Sequence, residues 1–269
     1  MPQPHVTAAV LRAVRRLPGY PRLRVLDLSA GRGEIAAALA RDGCAVRGTH
    51  YRADDYQYAG LRSPDKYDGS APPQNEEFAV DENVDLMRPL TYGGGSFDAV
   101  ILCEVAEHLP TYIPLIGEIG RVLVPGGSLV LSTPNLARLH SRWHFFWTGT
   151  HKLIRRRVGW DLSAGDLYAY HIGPVDFPLL HTLLRQAGLA VERLDVTRFK
   201  ARHAWLLAAY PLVWLATRLE TRRHRGGPAH AEGEEDLFRW MTRPAMLASE
   251  QLLLTARKSS PATPSGSTA

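Results

Sequence analysis

A chain of 269 residues, 45% hydrophobic and 22% charged, has the balance of an ordinary folded globular protein and the length of one large α/β core. Its net charge of +5 favours acidic partners without naming one, and no stretch approaches the ~20 apolar residues of a membrane-spanning helix. Cys44 and Cys103 are too few and too isolated for a disulfide framework or a metal cluster, and the N-terminal segment lacks the apolar core of a secretory signal. A cytoplasmic protein with neither disulfide nor bound metal is expected.

Apolar residues at spacings of three and four predict an amphipathic helix over Val6 to Leu17, stopped by Pro18 and Gly19. Leu23 to Leu28 reads as a buried strand, Glu34 to Arg41 as a helix closed by Gly43, and Ala45 to Thr49 as a second short strand. The polar and aromatic stretch that follows is too long for an ordinary connection and reads as an insertion. Further along, FDAVILC (Phe97 to Cys103) is a strand, Thr111 to Val124 a helix stopped by Pro125, and SLVLS (Ser128 to Ser132) a strand stopped by Pro134. Val175 to Ala187 is a helix ended by Gly188, Ala190 to Val196 a strand, and Gln251 to Ala256 a last strand suited to antiparallel pairing with it. This alternation predicts a doubly wound, mostly parallel seven-stranded sheet with helices on both faces and a last antiparallel strand. One domain is expected over residues 1–258, with insertions at about 51–77, 136–172 and 199–248 and a disordered tail at 259–269.

In open α/β sheets the first strand-to-helix turn is the usual ligand cradle, and Gly31 and Gly33 fall in it. Glycine accepts positive φ and lets the backbone approach a nucleoside. The run GRGEIA (Gly31 to Ala36) also fits the dinucleotide pattern GxGxxA, so a nicotinamide or flavin oxidoreductase is one alternative. Asp27 argues against it, because a dinucleotide-binding strand normally holds an apolar residue there, and a buried carboxylate needs a partner such as a cationic ligand or the amides of the turn.

On these residues VLDLSAGRG (Val25 to Gly33) resembles the first motif of class I, Rossmann-like S-adenosylmethionine-dependent methyltransferases. SFDAVILCEVAEHL (Ser96 to Leu109) is similar to the fourth strand and following turn of that family, and RVLVPGGSLVLSTPN (Arg121 to Asn135) to its fifth. The resemblance implies S-adenosylmethionine as cofactor. By position, Asp27, Ala30, Gly31 and Gly33 would hold its methionine part, Cys103 and Glu104 would close that side, and Asp85 with the amide of Leu86 would take the adenine amino group. Two positions depart from the pattern. Ser29 replaces the first glycine, and His50 stands where an acidic residue normally accepts both ribose hydroxyls, a task for which Asp54 and Asp55 are substitutes. If neither reaches, a non-catalytic relative of the fold becomes the alternative.

Methyl transfer to oxygen needs a base, and two histidines near the site are candidates: His108 in the turn after the fourth strand, and His171 in AYHIGPVDF. The fourth strand is followed by no Asn-Pro-Pro-Tyr element of the kind base-methylating enzymes carry, and no nucleic-acid module accompanies the basic clusters, so nucleic acid is not an expected partner. One insertion joins Trp143, Phe145, Phe146 and Trp147 to Arg138, Arg142, Lys152, Arg155, Arg156 and Arg157. The other sets AWLLAAYPLVWLA (Ala204 to Ala216) before Arg218, Arg222, Arg223 and Arg225. That apolar run is expected to be a lid helix buried against the sheet, with a peripheral contact to lipid as the alternative. The acceptor is expected to be a small acidic or amphiphilic molecule: a lipid-linked, quinone or glycan intermediate.

Overall fold

The computed structural model describes residues 2–50, 77–151, 171, 173–223 and 227–260, with only the backbone of 228–230. The insertion at 51–76 with Asp54 and Asp55, the basic residues Lys152, Arg155, Arg156, Arg157 and Arg225, and the tail from 261 lie outside the described residues.

Apolar runs bounded by turn residues set the sheet. Its strands are β1 (Arg24–Leu28), β2 (Ala45–His50), β3 (Ala79–Glu82), β4 (Phe97–Cys103), β5 (Leu123–Pro134), β6 (Leu189–Val196) and β7 (Gln251–Lys258), in the order β3-β2-β1-β4-β5-β7-β6. Six strands are mutually parallel. β7 runs antiparallel between β5 and β6, pairing Leu131 with Leu254 on one side and Leu194 with Leu254 on the other. The expected mostly parallel seven-stranded sheet with an antiparallel last strand is observed.

Alternation along the strands divides two cores. Leu26, Leu28, Val100, Leu102, Leu129 and Leu131 pack beneath helices α3 (Ile113–Val122) and α5 (Phe177–Gln186). Val25, Ala99, Ile101, Cys103 and Val130 face α1 (Pro4–Val14) and α2 (Glu34–Asp42) on the opposite side. Pro4 occupies the first turn of α1, where its missing N–H costs nothing, and Gly43 ends α2 at a φ of 107°. Both cysteines are buried free thiols.

β3, Ala-Val-Asp-Glu, lacks the apolar run that betrays the other strands; it is a half-exposed edge strand formed because β2 offers it a parallel ladder. β5 begins five residues before the expected Ser128, because Leu123 already pairs with Phe97 and a register shift absorbs Pro125 and the two glycines that follow.

The apolar run at 204–216 departs from expectation. It divides into a 3-10 stretch (Ala201–Ala209) and α6 (Tyr210–Arg223), and α6 buries no residue. Its neighbours are that 3-10 stretch and α7 (Pro228–Met241) rather than the sheet. A buried lid helix is thus corrected to an exposed one, with Leu212 72% exposed. Apolar residues surround α6 instead of forming one stripe, so no single face could be buried against a flat sheet. α4 (Leu139–Thr148) and the short α8 (Pro244–Ala248) complete this side. No described helix is long and apolar enough to cross a membrane.

Candidate active site

The turn after β1 is built by positive φ at Ser29 (59°), Gly31 (58°) and Gly33 (76°). A serine held there costs roughly 1 kcal/mol, offset by its N–H donating to Thr49 Oγ1 at 2.8 Å. Ala30 N–H donates to the carbonyl of Thr49 at 3.0 Å and Gly33 N–H to that of Ala30 at 2.8 Å, so the end of β2 fixes the turn. Beneath it there is no spare room: a Cβ on Gly48 would lie 3.0 Å from the Phe78 ring and 3.1 Å from Ala30 Cβ. Above it, a Cβ on Gly31 would meet nothing within 4 Å among the described residues. Glycine is thus demanded by conformation at Gly31 and by packing at Gly48.

Register carries the other groups to the same place. Asp27 pairs with Ile101 and Leu28 with Leu102, which sets the turn beside Cys103 and Glu104 at the carboxyl end of β4. Asp27 is 2% exposed, and burial pushes its carboxyl up to about 7. Glu104, at a φ of 54°, accepts from Ser132 Oγ at 3.0 Å and from Gln251 Nε2 at 3.3 Å. Glu107 is buried and accepts from Thr133 Oγ1 at 3.1 Å through Oε2, while Oε1 has no hydrogen-bond partner among the described residues. Burial first, then the neighbouring charge of Glu104, push Glu107 up to about 8. Burial raises the Cys103 thiol far above its ordinary value; its Sγ lies 3.4 Å from Ser132 Oγ, and it is a packing residue rather than a nucleophile.

The two expected histidines meet. The rings of His108 and His171 stand edge to face with centroids 4.9 Å apart. Ligand atoms of Glu107, His108 and His171 all lie within 4.8 Å of one another, close enough to surround one cation but too far apart for all three to share a proton. The sequence gives no hint of what brings His171 in. Gly173 does this: its N–H donates to the Glu107 carbonyl at 3.0 Å, and a Cβ there would lie 2.3 Å from the Leu109 carbonyl oxygen. Only glycine fits at 173, where the backbone docks on the 3-10 turn Ala106–His108.

On the other side of the turn, Asp85 Oδ1 accepts the Met87 N–H at 2.9 Å and Oδ2 lies 3.4 Å from Arg88 Nε, with Leu86 buried beside it. This loop is clamped by two residues of α3 that sequence reasoning missed. Arg121 donates to the carbonyls of Leu90 (2.9 Å) and Tyr92 (2.7 Å), and Glu118 accepts the Leu90 N–H at 2.7 Å. His50 ends β2, its carbonyl accepting from Val84 N–H at 3.2 Å, and parallel register sets Glu82 alongside it. A carboxylate is therefore next to His50 on the neighbouring strand, where reading β2 alone could not find it.

These residues fit S-adenosylmethionine. Cys103 feels the charges of Asp27, Glu104 and Glu107 together, so the strand ends converge on an acidic patch over an open glycine turn. Such a patch complements a ligand carrying a sulfonium and an ammonium and opposes the diphosphate of a dinucleotide. Fold and site together define a class I, Rossmann-like S-adenosylmethionine-dependent methyltransferase.

Comparison with known proteins agrees. The model of a methyltransferase domain matches residues 3–194, and the chain belongs to that family. It is 34% identical to the ubiquinone biosynthesis O-methyltransferase of Xanthomonas campestris pv. campestris over 116 residues, 43% of this chain and 44% of that protein. To the enzyme of the same name from Cereibacter sphaeroides it is 26% identical over 203 residues, 72% of this chain and 71% of the relative. The chain thus spans under half the length of the Xanthomonas relatives it matches. Among solved structures, the [4+2]-cyclase SpnF has a TM-score of 0.51 at 20% identity, covering 95% of this chain and 81% of its own. An S-adenosylmethionine-dependent methyltransferase from Archaeoglobus fulgidus has a TM-score of 0.51 at 17% identity, covering 94% and 93%. These two likenesses establish the fold alone.

Proposed function

We propose that this chain transfers the methyl group of S-adenosylmethionine to an oxygen of a small acidic or amphiphilic acceptor, a lipid-linked, quinone or glycan intermediate, with His108 as the base and His171 as its partner. The observation that carries this reading is the meeting of His108, His171 and Glu107 at the carboxyl end of β4, one strand from the glycine turn. Relatives named as O-methyltransferases of ubiquinone biosynthesis support oxygen as the acceptor atom and, more loosely, a quinone-type acceptor.

When bound, the cofactor supplies an electrophilic methyl group on sulfur. Asp27 and the glycine turn would hold its amino-acid part, Asp85 and Leu86 its base, and Glu82 with His50 its sugar hydroxyls. His108 takes the proton of the acceptor hydroxyl as the oxygen attacks. His171, edge to face with it, holds the His108 ring in place, and Glu107 is the neighbouring carboxyl whose ionisation would favour the protonated imidazole.

The test is titration of the whole protein with S-adenosylhomocysteine, then transfer of labelled methyl from S-adenosylmethionine to a panel of catechols, carboxylates and glycans. Micromolar binding and label on an oxygen are expected. No binding at that level, with Asp27→Ala altering stability alone, would leave a non-catalytic member of the fold.

A further inference from the structure

A second cluster of charge lies outside the methyl-transfer site. Arg138, Arg198, Lys200, His140 and His203 line a shallow, open pocket, opposed among the described residues by the carboxylate of Glu250. Lys200 is paired with Glu250, which also lies 4.0 Å from His5. Arg138 is different. It is 6% exposed, its Nε has no hydrogen-bond partner, and no carboxylate stands within ion-pair distance of it, all among the described residues. A guanidinium buried without such partners is costly, and the cost is removed by an anion. Arg138 is also the N-cap of the ten-residue helix α4, whose first turn holds no acidic residue, so the helix dipole adds to the same field. The rings of His140 and His203 stack at 3.8 Å in the wall.

The pocket opens on an apolar face. Leu206 is buried under it, Trp205 beside it is 60% exposed, and Trp205 packs edge to face on Trp143 of α4 at 5.6 Å. Phe146 and Trp147, 73% and 65% exposed, extend that face along α4. Glu250 and Gln251 are consecutive at the start of β7: one turns into the cationic pocket, and the other reaches Glu104 in the methyl-transfer site. The two sites are two to three strands apart at one end of the sheet, roughly 10–15 Å at the usual strand spacing.

We infer that this pocket holds the phosphate or diphosphate of an amphiphilic acceptor, whose apolar chain lies on the Trp143–Trp205 face while its reacting oxygen reaches His108. The inference rests on the methyltransferase reading and specifies its acceptor: a phosphorylated, chain-bearing molecule rather than a neutral one. Cation and aromatic surface together select it, because a free phosphate leaves the aromatic face uncovered and a neutral chain leaves Arg138 unpaired.

Farnesyl diphosphate, farnesol and inorganic pyrophosphate are titrated into the full chain, read by calorimetry and by the fluorescence of the exposed tryptophans. The diphosphate is expected to bind at least about tenfold tighter than either fragment, and Arg138→Gln or Arg198→Gln to remove about tenfold of that affinity. Arg198 is exposed, so its variant serves even if Arg138→Gln fails to fold. Equal binding of farnesyl diphosphate and farnesol overturns the inference, as does binding of pyrophosphate alone. Vesicles of phosphatidylglycerol are the third arm: strong vesicle binding without diphosphate selectivity would make the face a membrane contact and overturn it too. S-adenosylhomocysteine is titrated into the same samples. Its binding without diphosphate binding sinks this inference alone, whereas its failure to bind sinks the methyltransferase reading.

Discussion

The two halves of the sheet's carboxyl end are built on opposite economies. On the β1–β4 side, Leu28, Ile101 and Leu102 are fully buried, strand register places Asp27, and side chains of Ser132, Thr133 and Gln251 hold Glu104 and Glu107. On the β5–β7–β6 side, α4, the 3-10 stretch and α6 leave Trp143, Phe146, Trp147, Trp205 and Leu212 in contact with solvent. A shared cofactor asks for one rigid cradle, while an acceptor particular to this chain asks for surface that folding does not consume. Under the proposed function, specificity belongs to the exposed side and chemistry to the buried one.

The largest effect expected from breaking that division is on turnover. His108→Ala lowers kcat by about 10²- to 10⁴-fold and leaves the affinity for S-adenosylhomocysteine unchanged. Unchanged turnover would remove His108 from the mechanism. Asp27→Asn comes next and moves two measurements in opposite directions. In the folded state the carboxyl holds its proton up to pH about 7 against an ordinary 3.8, so its burial costs nothing below pH about 4. The cost grows as pH rises between those values and reaches roughly 4 kcal/mol above them. At pH 8 the cofactor-free variant is therefore expected to melt at higher temperature than the parent while losing about 100-fold in S-adenosylmethionine affinity. A lower melting temperature would mean that Asp27 is there for the fold.

The same carboxyls make cofactor binding depend on pH. With Asp27 at about 7 and Glu107 at about 8, acidification from pH 8.5 to 6 protonates both and removes the negative field at the sulfonium. S-adenosylmethionine affinity should fall over that range by more than the affinity of uncharged-sulfur S-adenosylhomocysteine does. Parallel profiles would show that the field does not act on sulfur. Gly173→Ala, which forces a Cβ against the Leu109 carbonyl, should cost about tenfold in kcat by withdrawing His171, with cofactor affinity intact. On the exposed side the effects on folding should be smallest: Phe146→Ser and Trp147→Ser are expected to change stability by about 0.5 kcal/mol or less each, while raising the acceptor KM. A large loss of stability would mean that this face is core.

How much of this could be read from residues alone follows the same division. Strands β1, β4, β5 and β7 announce themselves as apolar runs, and Asp27 stands out because a carboxylate in such a run needs a reason. Gly33 and Gly43 mark their turns because left-handed backbone nearly requires them. β3 escaped because an edge strand needs a neighbour more than it needs apolar residues. α6 was misjudged because a hydrophobic run signals burial, and only tertiary structure shows what, if anything, covers it. Gly173, Glu118 and Arg121 act through contacts with carbonyls and amides 28 to 66 residues away, and no local pattern reports those.

The antiparallel strand has a consequence for biosynthesis. β5 is complete in sequence at residue 134, yet the strand that covers its outer edge spans residues 251–258. For more than a hundred residues of chain the edge Leu129–Val130–Leu131 precedes its partner strand, and β6, ending at Val196, precedes it by about half that length. Closure of that half of the sheet therefore waits on the last strand, and until it pairs, the β5 edge is open to strands of other chains.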